Sequence, residues 1–556
     1  MGKLDKIDIQ INGIGHYLMN NKLKVPKYQR YYAWEDKHVE DLYNDIENAI
    51  YNGVKEYFIG SIVVKNNEDQ RNEVVDGQQR LATILILLIA IRNYVNKFDK
   101  QKAWKITNDF IASQNLKTED IDPHLILNDT DNEFFEKYLF ETTDNYKDSP
   151  RKLSHKRLLN AFKIANNRVN KINGEKDNVI KLIEWIEYIQ LNVRVIWVEV
   201  PDYSNAFTIF ETLNDRGLDL AISDLLKNYI FHKADKSIET AQSNWISMIS
   251  TLESAVDETI VVPYIRYLWS SIHGNVREKE LYDKIKEKIK SKQAAMEFSN
   301  LLQENSALYL AILHSDHDFW VEFGTKTRND IKIINLLGMV QIRPLLLALL
   351  VKFKKSDVVY SLTSLVSLIV RLLISGTLSS GVFETNFSNA AVKIRKGEIN
   401  NKKQLFAELK PIIPNDTKFK EEFSKANVSK SNLAKYYLSC LENFNRNKGN
   451  SELIPTDDEN IVNLEHILPK TYNLEWKNFS EDEHGIYYKK LGNQTLLNAI
   501  SNSSIGNQDF NIKKQYYKKS EFIITKSIAD NKYWTIKEIN ERQKKFAEIA
   551  IKCWKI

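Results

Sequence analysis

Cysteine is nearly missing from this chain: its 556 residues hold two, Cys440 and Cys553. That excludes a disulfide scaffold and a thiolate-bound zinc, and it fits a reducing cytosol. The opening MGKLDKIDIQINGI has no apolar signal region. The apolar run at 81–91 is too short to span a bilayer. The longer run at 358–375 carries Arg371 and reads as a buried helix. The expectation is a soluble, cytoplasmic protein with no membrane partner. No Gly-x-x-x-x-Gly-Lys-Ser/Thr occurs, so any triphosphatase here is not of the P-loop kind. No repeat recurs at a fixed period. The surplus of one charge sign is small: 78 basic against 73 acidic residues give +5, too little to declare a nucleic-acid binder.

What is present is ordinary for a globular protein, with 43% hydrophobic and 27% charged residues. The length predicts about three or four domains. Val39, Leu42, Ile46 and Ile50 recur at helical spacing, which predicts a helix over 35–52. The β-branched run at 57–65 and the short run at 72–75 predict strands, and 193–200 predicts another. A long apolar helix is expected from about 78 to 96, and a closing helix over 535–552. Residues 100–190 and 240–444 read as mostly helical. The polar stretch 445–460 reads as a linker.

Two constellations carry chemistry. The first is Asn463-Leu464-Glu465-His466-Ile467-Leu468-Pro469-Lys470, then Leu491-Gly492-Asn493-Gln494-Thr495-Leu496-Leu497, then Asn502, Asn507 and Lys513. Hydrolysis of a phosphodiester needs a base, a cation beside the phosphate and ligands for that cation. His466 supplies an imidazole that titrates near neutrality. Glu465 supplies a hard oxygen ligand. Asn493 is placed to orient the loop that bears His466. Asn502 and Asn507 are both candidate metal ligands. Lys489, Lys490, Lys513, Lys514, Lys518 and Lys519 crowd this region, where a phosphate backbone would lie. A solvated lysine-rich face is the plainer account of them. His484 lies between the two halves in a polar loop.

The second is Asp76-Gly77-Gln78-Gln79-Arg80, where a strand turns into a helix. Free N–H groups and the helix dipole make such a turn an anion site, and Arg80 can add a bidentate contact. Alternatively Asp76 merely caps the helix, with Gln79 closing a capping box. Tyr28, Tyr31, Tyr32 and Trp34 either stack on a base or pack a core. Asp224 and Lys227, at i,i+3 spacing, read as an ordinary surface pair.

The C-terminal set resembles the HNH (His-Me finger) endonucleases, in the variant where the closing His is Asn. Tyr28-Gln29-Arg30-x-Tyr-x-Trp34, Tyr57-Phe58-Ile59-Gly60-Ser61-Ile62, Asp76-Gly77-Gln78-Gln79-Arg80-Leu81 and Leu213-Asn214-Asp215-Arg216-Gly217, in this order, resemble the ParB/sulfiredoxin-like domain of the GmrSD and SspE restriction proteins. The resemblance implies an α+β, predominantly helical protein. A ParB/sulfiredoxin-like sensor domain with a helical insertion would span 1–235, a helical middle domain 236–444, and a ββα-metal nuclease domain 445–556. It further implies modification-dependent (type IV) restriction of phage DNA, with Arg30, Asp76, Gly77, Gln78, Gln79 and Arg80 binding a nucleoside triphosphate. Asn214, Asp215 and Arg216 would sit nearby. His466 and Asn493 would be catalytic. Glu465 with Asn502 or Asn507 would hold Mg2+ or Mn2+, since amide oxygen disfavours zinc. Lys513 and Lys514 would contact double-stranded DNA. A homodimer would suit double-strand cleavage, because one such site cuts one strand. Two other outcomes fit the same residues: a triphosphate-hydrolysing sensor with an unspecific nickase, and a DNA-binding protein without cleavage.

Overall fold

Alternating and β-branched patterning near the N-terminus builds a sheet, and near-continuous apolar sequence builds the helix that it covers. The computed structural model describes residues 7–67, 71–114, 120–140, 150, 152–173, 179–203, 205–206, 209, 222–253, 258–376, 380–446, 461–472 and 475–556. The chain divides into two compact units, one of Met1–Val262 with Glu278–Glu304, the other of Pro263–Arg277 with Asn305–Ile556. Asn214, Asp215, Arg216 and most of the 445–460 stretch lie outside the described residues. The described chain is mostly helical, with small sheets.

In the first unit, strands β1 (Asp8–Gly13), β2 (Leu23–Lys24), β3 (Tyr57–Lys65), β4 (Asn72–Asp76), β7 (Leu125–Ile126) and β8 (Val193–Val200) form one mixed sheet in the order β1-β8-β3-β4-β2-β7. Between them β5 (Ala112–Gln114) and β6 (Ile121–Pro123) pair as a separate short ribbon. The strands predicted over 57–65 and 193–200 form at those residues and pair in parallel. The register of β3 slips between Phe58 and Ser61, where Gly60 adopts φ 107°. That bulge needs glycine, because a Cβ there would lie 3.1 Å from the Arg80 guanidinium carbon.

The helix Gln78–Val95 is buried almost all round, which explains why its sequence is apolar on every face. It packs among the helices Asp36–Tyr51, Leu153–Asn173 and Val179–Leu191 in one continuous core. Trp197 from β8 stacks on Tyr17, with centroids 4.2 Å apart.

His124 stands beside β7 and is buried, with no partner for Nδ1. Burial, then the charges of Lys22 and Arg71, push its pKa down to about 4. The unfolded chain titrates near 6.5 and therefore takes up the proton first. Stability is thus predicted to fall as pH drops from about 6.5 to about 4. Thermal unfolding across that window checks it: His124→Gln should flatten the slope, and an unchanged slope would contradict the assignment.

The second unit contains the helix Lys355–Ser375, the predicted buried run. It is long and apolar enough to cross a membrane by length and composition, yet 72% of its apolar window is buried inside the protein. Its Arg371 is buried too. It donates to the carbonyls of Trp554 (2.7 Å) and Pro414 (3.0 Å) and pairs with Asp416 (2.6 Å). The same unit carries β9 (Val462–His466) and β10 (Gln494–Asn498), an antiparallel pair in which His466 faces Gln494 across the ladder. The helices Ala499–Ile505 and Phe510–Lys519 follow β10, and Ile536–Cys553 closes the chain.

Candidate functional site

His466 ends β9. Its imidazole is buried, and Nε2 lies 3.3 Å from the Gln494 amide nitrogen, which also donates to the Val428 carbonyl. Burial, then Lys470 and Lys513, push its pKa down to about 4. The ring is therefore neutral at neutral pH and able to accept a proton.

The peptide that follows His466 is fixed by Asn493. That side chain is fully buried; its Oδ1 accepts from the Leu468 N–H (2.8 Å) and the Trp534 indole N–H (3.0 Å). Its Nδ2 donates to the carbonyls of Leu468 (2.9 Å) and Tyr488 (3.3 Å). Every amide position is thus committed to the fold. The expectation that Asn493 is catalytic becomes a narrower one: it positions the loop and does not reach the reacting atoms. His484 assists, with Nε2 2.8 Å from the Pro469 carbonyl and its ring stacked on Tyr488.

Behind this loop the Ile536–Cys553 helix clamps the turn before β10. Arg542 is buried and donates to the carbonyls of Gly492 (2.8 Å), Gln494 (2.8 Å) and Ile524 (3.0 Å). Gln543 accepts from the Gly492 N–H and donates to the carbonyls of Phe423 (2.9 Å) and Ala426 (3.0 Å).

Glu465 is buried, and Oε1 accepts from Lys513 Nζ (2.7 Å) and the Tyr517 hydroxyl (2.8 Å). Burial raises its pKa, opposed by Lys513. Lys513 also donates to the His466 carbonyl at 2.8 Å and is completely buried. This corrects its expected role at DNA. An ammonium enclosed between a carboxylate and a carbonyl cannot face a phosphate backbone, and serves instead to lock β9 to the Phe510–Lys519 helix. Lys514 is likewise engaged, on the Asn531 carbonyl at 2.7 Å. Lys518 and Lys519 are the exposed cations of that helix.

Asn502 lies in the first helix after β10, with Nδ2 3.4 Å from the Leu464 carbonyl. Asn507 is exposed in the break between the two helices, so it and Lys513 do not share one helix. Among the described residues no cluster of three or more His, Cys, Asp or Glu forms. The available donors are one carboxylate and amide oxygens, a set whose chemistry fits a hard divalent cation rather than zinc. In this conformation the carboxylate is balanced by the Lys513 ammonium.

At the N-terminal site, Gly77 is the N-cap of the Gln78–Val95 helix, with φ 91° and no side-chain cap. The capping box imagined between Asp76 and Gln79 does not form. A Cβ on Gly77 would sit 2.8 Å from Ile62, so glycine is required twice over. Gln79 is buried and grips the aromatic loop, accepting from the Ala33 N–H (2.9 Å) and donating to the Tyr31 carbonyl (3.1 Å). Gln78 points at the Arg30 carbonyl, 3.5 Å away. Arg80 donates to the Ser61 carbonyl at 2.8 Å, across the Gly60 bulge. The two glutamines therefore hold the loop that carries Arg30, while Asp76, Gly77 and Arg80 are half-buried. Burial raises the Asp76 pKa, opposed by Arg80, the Gly77 N–H and Arg30.

The GmrSD restriction endonuclease N-terminal domain matches residues 14–231, and the GmrSD restriction endonuclease C-terminal domain matches residues 413–549. The chain belongs to the GmrSD family. A search of curated proteins found no match. Membership makes this GmrSD protein a restriction endonuclease of a defence system, with DNA as its substrate.

Sequence reasoning missed two residues of this GmrSD chain. Asp224 and Lys227, expected as a surface pair, are buried and 2.9 Å apart. Asp224 also takes Arg30 Nε at 3.3 Å, and Lys227 reaches the Gln29 side-chain oxygen at 2.8 Å. Burial pushes the Asp224 pKa up, but Lys227 and Arg30 pull it below the ordinary value. Their i,i+3 spacing was visible; that a second element would cover the pair was not.

Of the aromatic residues, Tyr28 and Tyr32 are buried and Trp34 packs against the core, whereas Tyr31 is half-buried.

Proposed function

We propose that the protein is a modification-dependent (type IV) restriction endonuclease of anti-phage defence. It cuts or nicks double-stranded DNA at a metal-dependent HNH site of the ββα-metal kind, under nucleotide control. The observation that carries this reading is His466, neutral and buried at the end of β9, with the following loop clamped by the amide of Asn493.

In this reading His466 takes the proton from the attacking water. Asn493, His484 and the Arg542 clamp hold the imidazole's loop in place, so little reorganisation is needed at the moment of attack. Glu465 with Asn502, or alternatively Asn507, would hold Mg2+ or Mn2+, which supplies a positive charge beside the scissile phosphate when bound. Lys513 keeps β9 and the Phe510–Lys519 helix in register, and the exposed Lys518 and Lys519 steer the DNA backbone.

At the other site a nucleoside triphosphate would lie against the Asp76-Gly77-Arg80 face, where helix N–H groups and Arg80 favour phosphate, with Arg30 at its edge. The ParB/sulfiredoxin-like domain would thereby set when the nuclease acts. Two copies acting together in the cytoplasm would break both strands.

Plasmid cleavage tests the cofactor part of this reading. Cutting is expected with Mg2+ or Mn2+, is expected to stop with a chelator, and should change in rate on adding one of the nucleoside triphosphates. Cutting in chelator would overturn the metal assignment. Indifference to every triphosphate would overturn the nucleotide control.

A further inference from the structure

The first unit contains a cavity of about 460 Å3, within the range of small-molecule and cofactor sites. One side is the Arg30 loop and the start of the Ile222–Ala234 helix; the other is the Ile238–Glu253 helix and residues 259–262. The Gln78–Gln79 turn meets Arg30 only in a separate cleft of about 10 Å3. The large cavity is therefore not the space at the Asp-Gly-Gln-Gln-Arg turn.

Its charges balance. Lys27, Arg30 and Lys227 line it, and so do Asp129, Asp224 and Glu253. Each cation is already paired: Lys27 with Asp129 (2.5 Å), Arg30 with Asp224 (3.3 Å) and Lys227 with Asp224 (2.9 Å). A triphosphate would have to break these pairs and still face the carboxylates. An uncharged ligand would not.

The opposite wall is apolar, made by Trp245, Ile246, Ile249 and Val262, with the Tyr28 and Tyr31 rings nearby. Among the described residues the Ser223 hydroxyl has no partner, and Arg30 bonds only through Nε, leaving both Nη groups as donors. An apolar slot with a few hydrogen-bonding groups at one edge is what a planar, uncharged base requires. Trp245 and Ile249 also lie outside both family-matched segments, so they belong to this chain's own selectivity.

We propose that this cavity receives a single nucleobase turned out of duplex DNA, with Trp245, Ile249 and Val262 against its face and Ser223 and the Arg30 Nη groups at its edge. This rests on the modification-dependent reading above, and makes the base, rather than the backbone, the thing that is read.

The test uses full-length protein and duplexes carrying 2-aminopurine beside one cytosine that is plain, hydroxymethylated or glucosyl-hydroxymethylated, and a fourth duplex with a phosphorothioate linkage. The fluorophore brightens when its neighbour leaves the stack. Brightening is expected with one of the modified cytosines. Trp245→Ala and Ile249→Trp, the second keeping the wall filled, should weaken binding of that duplex about tenfold, as loss of one stacking partner does. Triphosphate binding by calorimetry should stay unchanged in both variants.

Binding without brightening, preference for the phosphorothioate duplex, or a triphosphate affinity that falls in both variants would each overturn the proposal. Cleavage separates this from the parent reading. If modified DNA is cut preferentially and equally by wild type and both variants, modification dependence stands and the cavity assignment fails. If brightening occurs but all DNAs are cut alike, the cavity stands and modification dependence fails.

Discussion

His466→Ala is expected to lower the rate of DNA cleavage by about 10³-fold, the usual worth of a positioned general base. The imidazole sits at the end of β9 with its pKa pushed down to about 4, so at neutral pH nearly every molecule carries it ready to accept a proton. Its only side-chain hydrogen-bonding contact is the 3.3 Å approach to Gln494, so the fold loses little with it. Initial rates on supercoiled plasmid, alongside thermal unfolding, separate the two effects. A variant that folds normally and cuts at the wild-type rate would show that the site lies elsewhere.

The second large effect is on stability. A Cβ at Gly492 would lie 2.3 Å from the Ile539 carbonyl oxygen and 3.1 Å from Gln543 Cβ. Neither neighbour can yield, because the Ile539 oxygen is helix backbone and Gln543 is tied to Gly492, Phe423 and Ala426. Gly492→Ala should therefore cost about 3 kcal/mol, the upper range for forcing atoms into a filled space. Cleavage should fall as well, because the displaced turn carries Asn493 and through it the loop after His466. Denaturant unfolding gives the first quantity, and plasmid cleavage under conditions where the variant is still folded gives the second. An alanine variant as stable as the parent would mean that the Ile536–Cys553 helix does not grip this turn.

The same two residues show what the sequence makes legible. Gly-Asn before an apolar strand announces a tight turn and a polar anchor, and the structure supplies both. Periodicity likewise placed 57–65, 193–200 and the apolar helix at 78 within a residue or so, because each is long enough for its pattern to repeat. The strands β2, β5, β6 and β7 have two or three residues each, and a pattern that short carries no period.

Burial was the harder quantity to read. Lys513 looked like one more member of a basic cluster, yet it is sealed between Glu465 and the His466 carbonyl. Asp224 and Lys227 looked like a surface pair, yet they meet Gln29 and Arg30 from nearly two hundred residues away. In each case the deciding partner comes from a distant segment, and spacing within one helix says nothing of it. The glutamines at 78 and 79 repeat the lesson. Their contacts run to the loop at 30–33, so they serve the Arg30 site from behind.

The measurement that tests the central claim most directly is cleavage of matched plain, glucosyl-hydroxymethylated and phosphorothioated DNA, with Mg2+ or Mn2+ and each nucleoside triphosphate, by wild type and His466→Ala. The account predicts that wild type cuts one modified DNA in preference to plain DNA and that His466→Ala cuts none. Equal cutting of all three by wild type, or undiminished cutting by the variant, would contradict it.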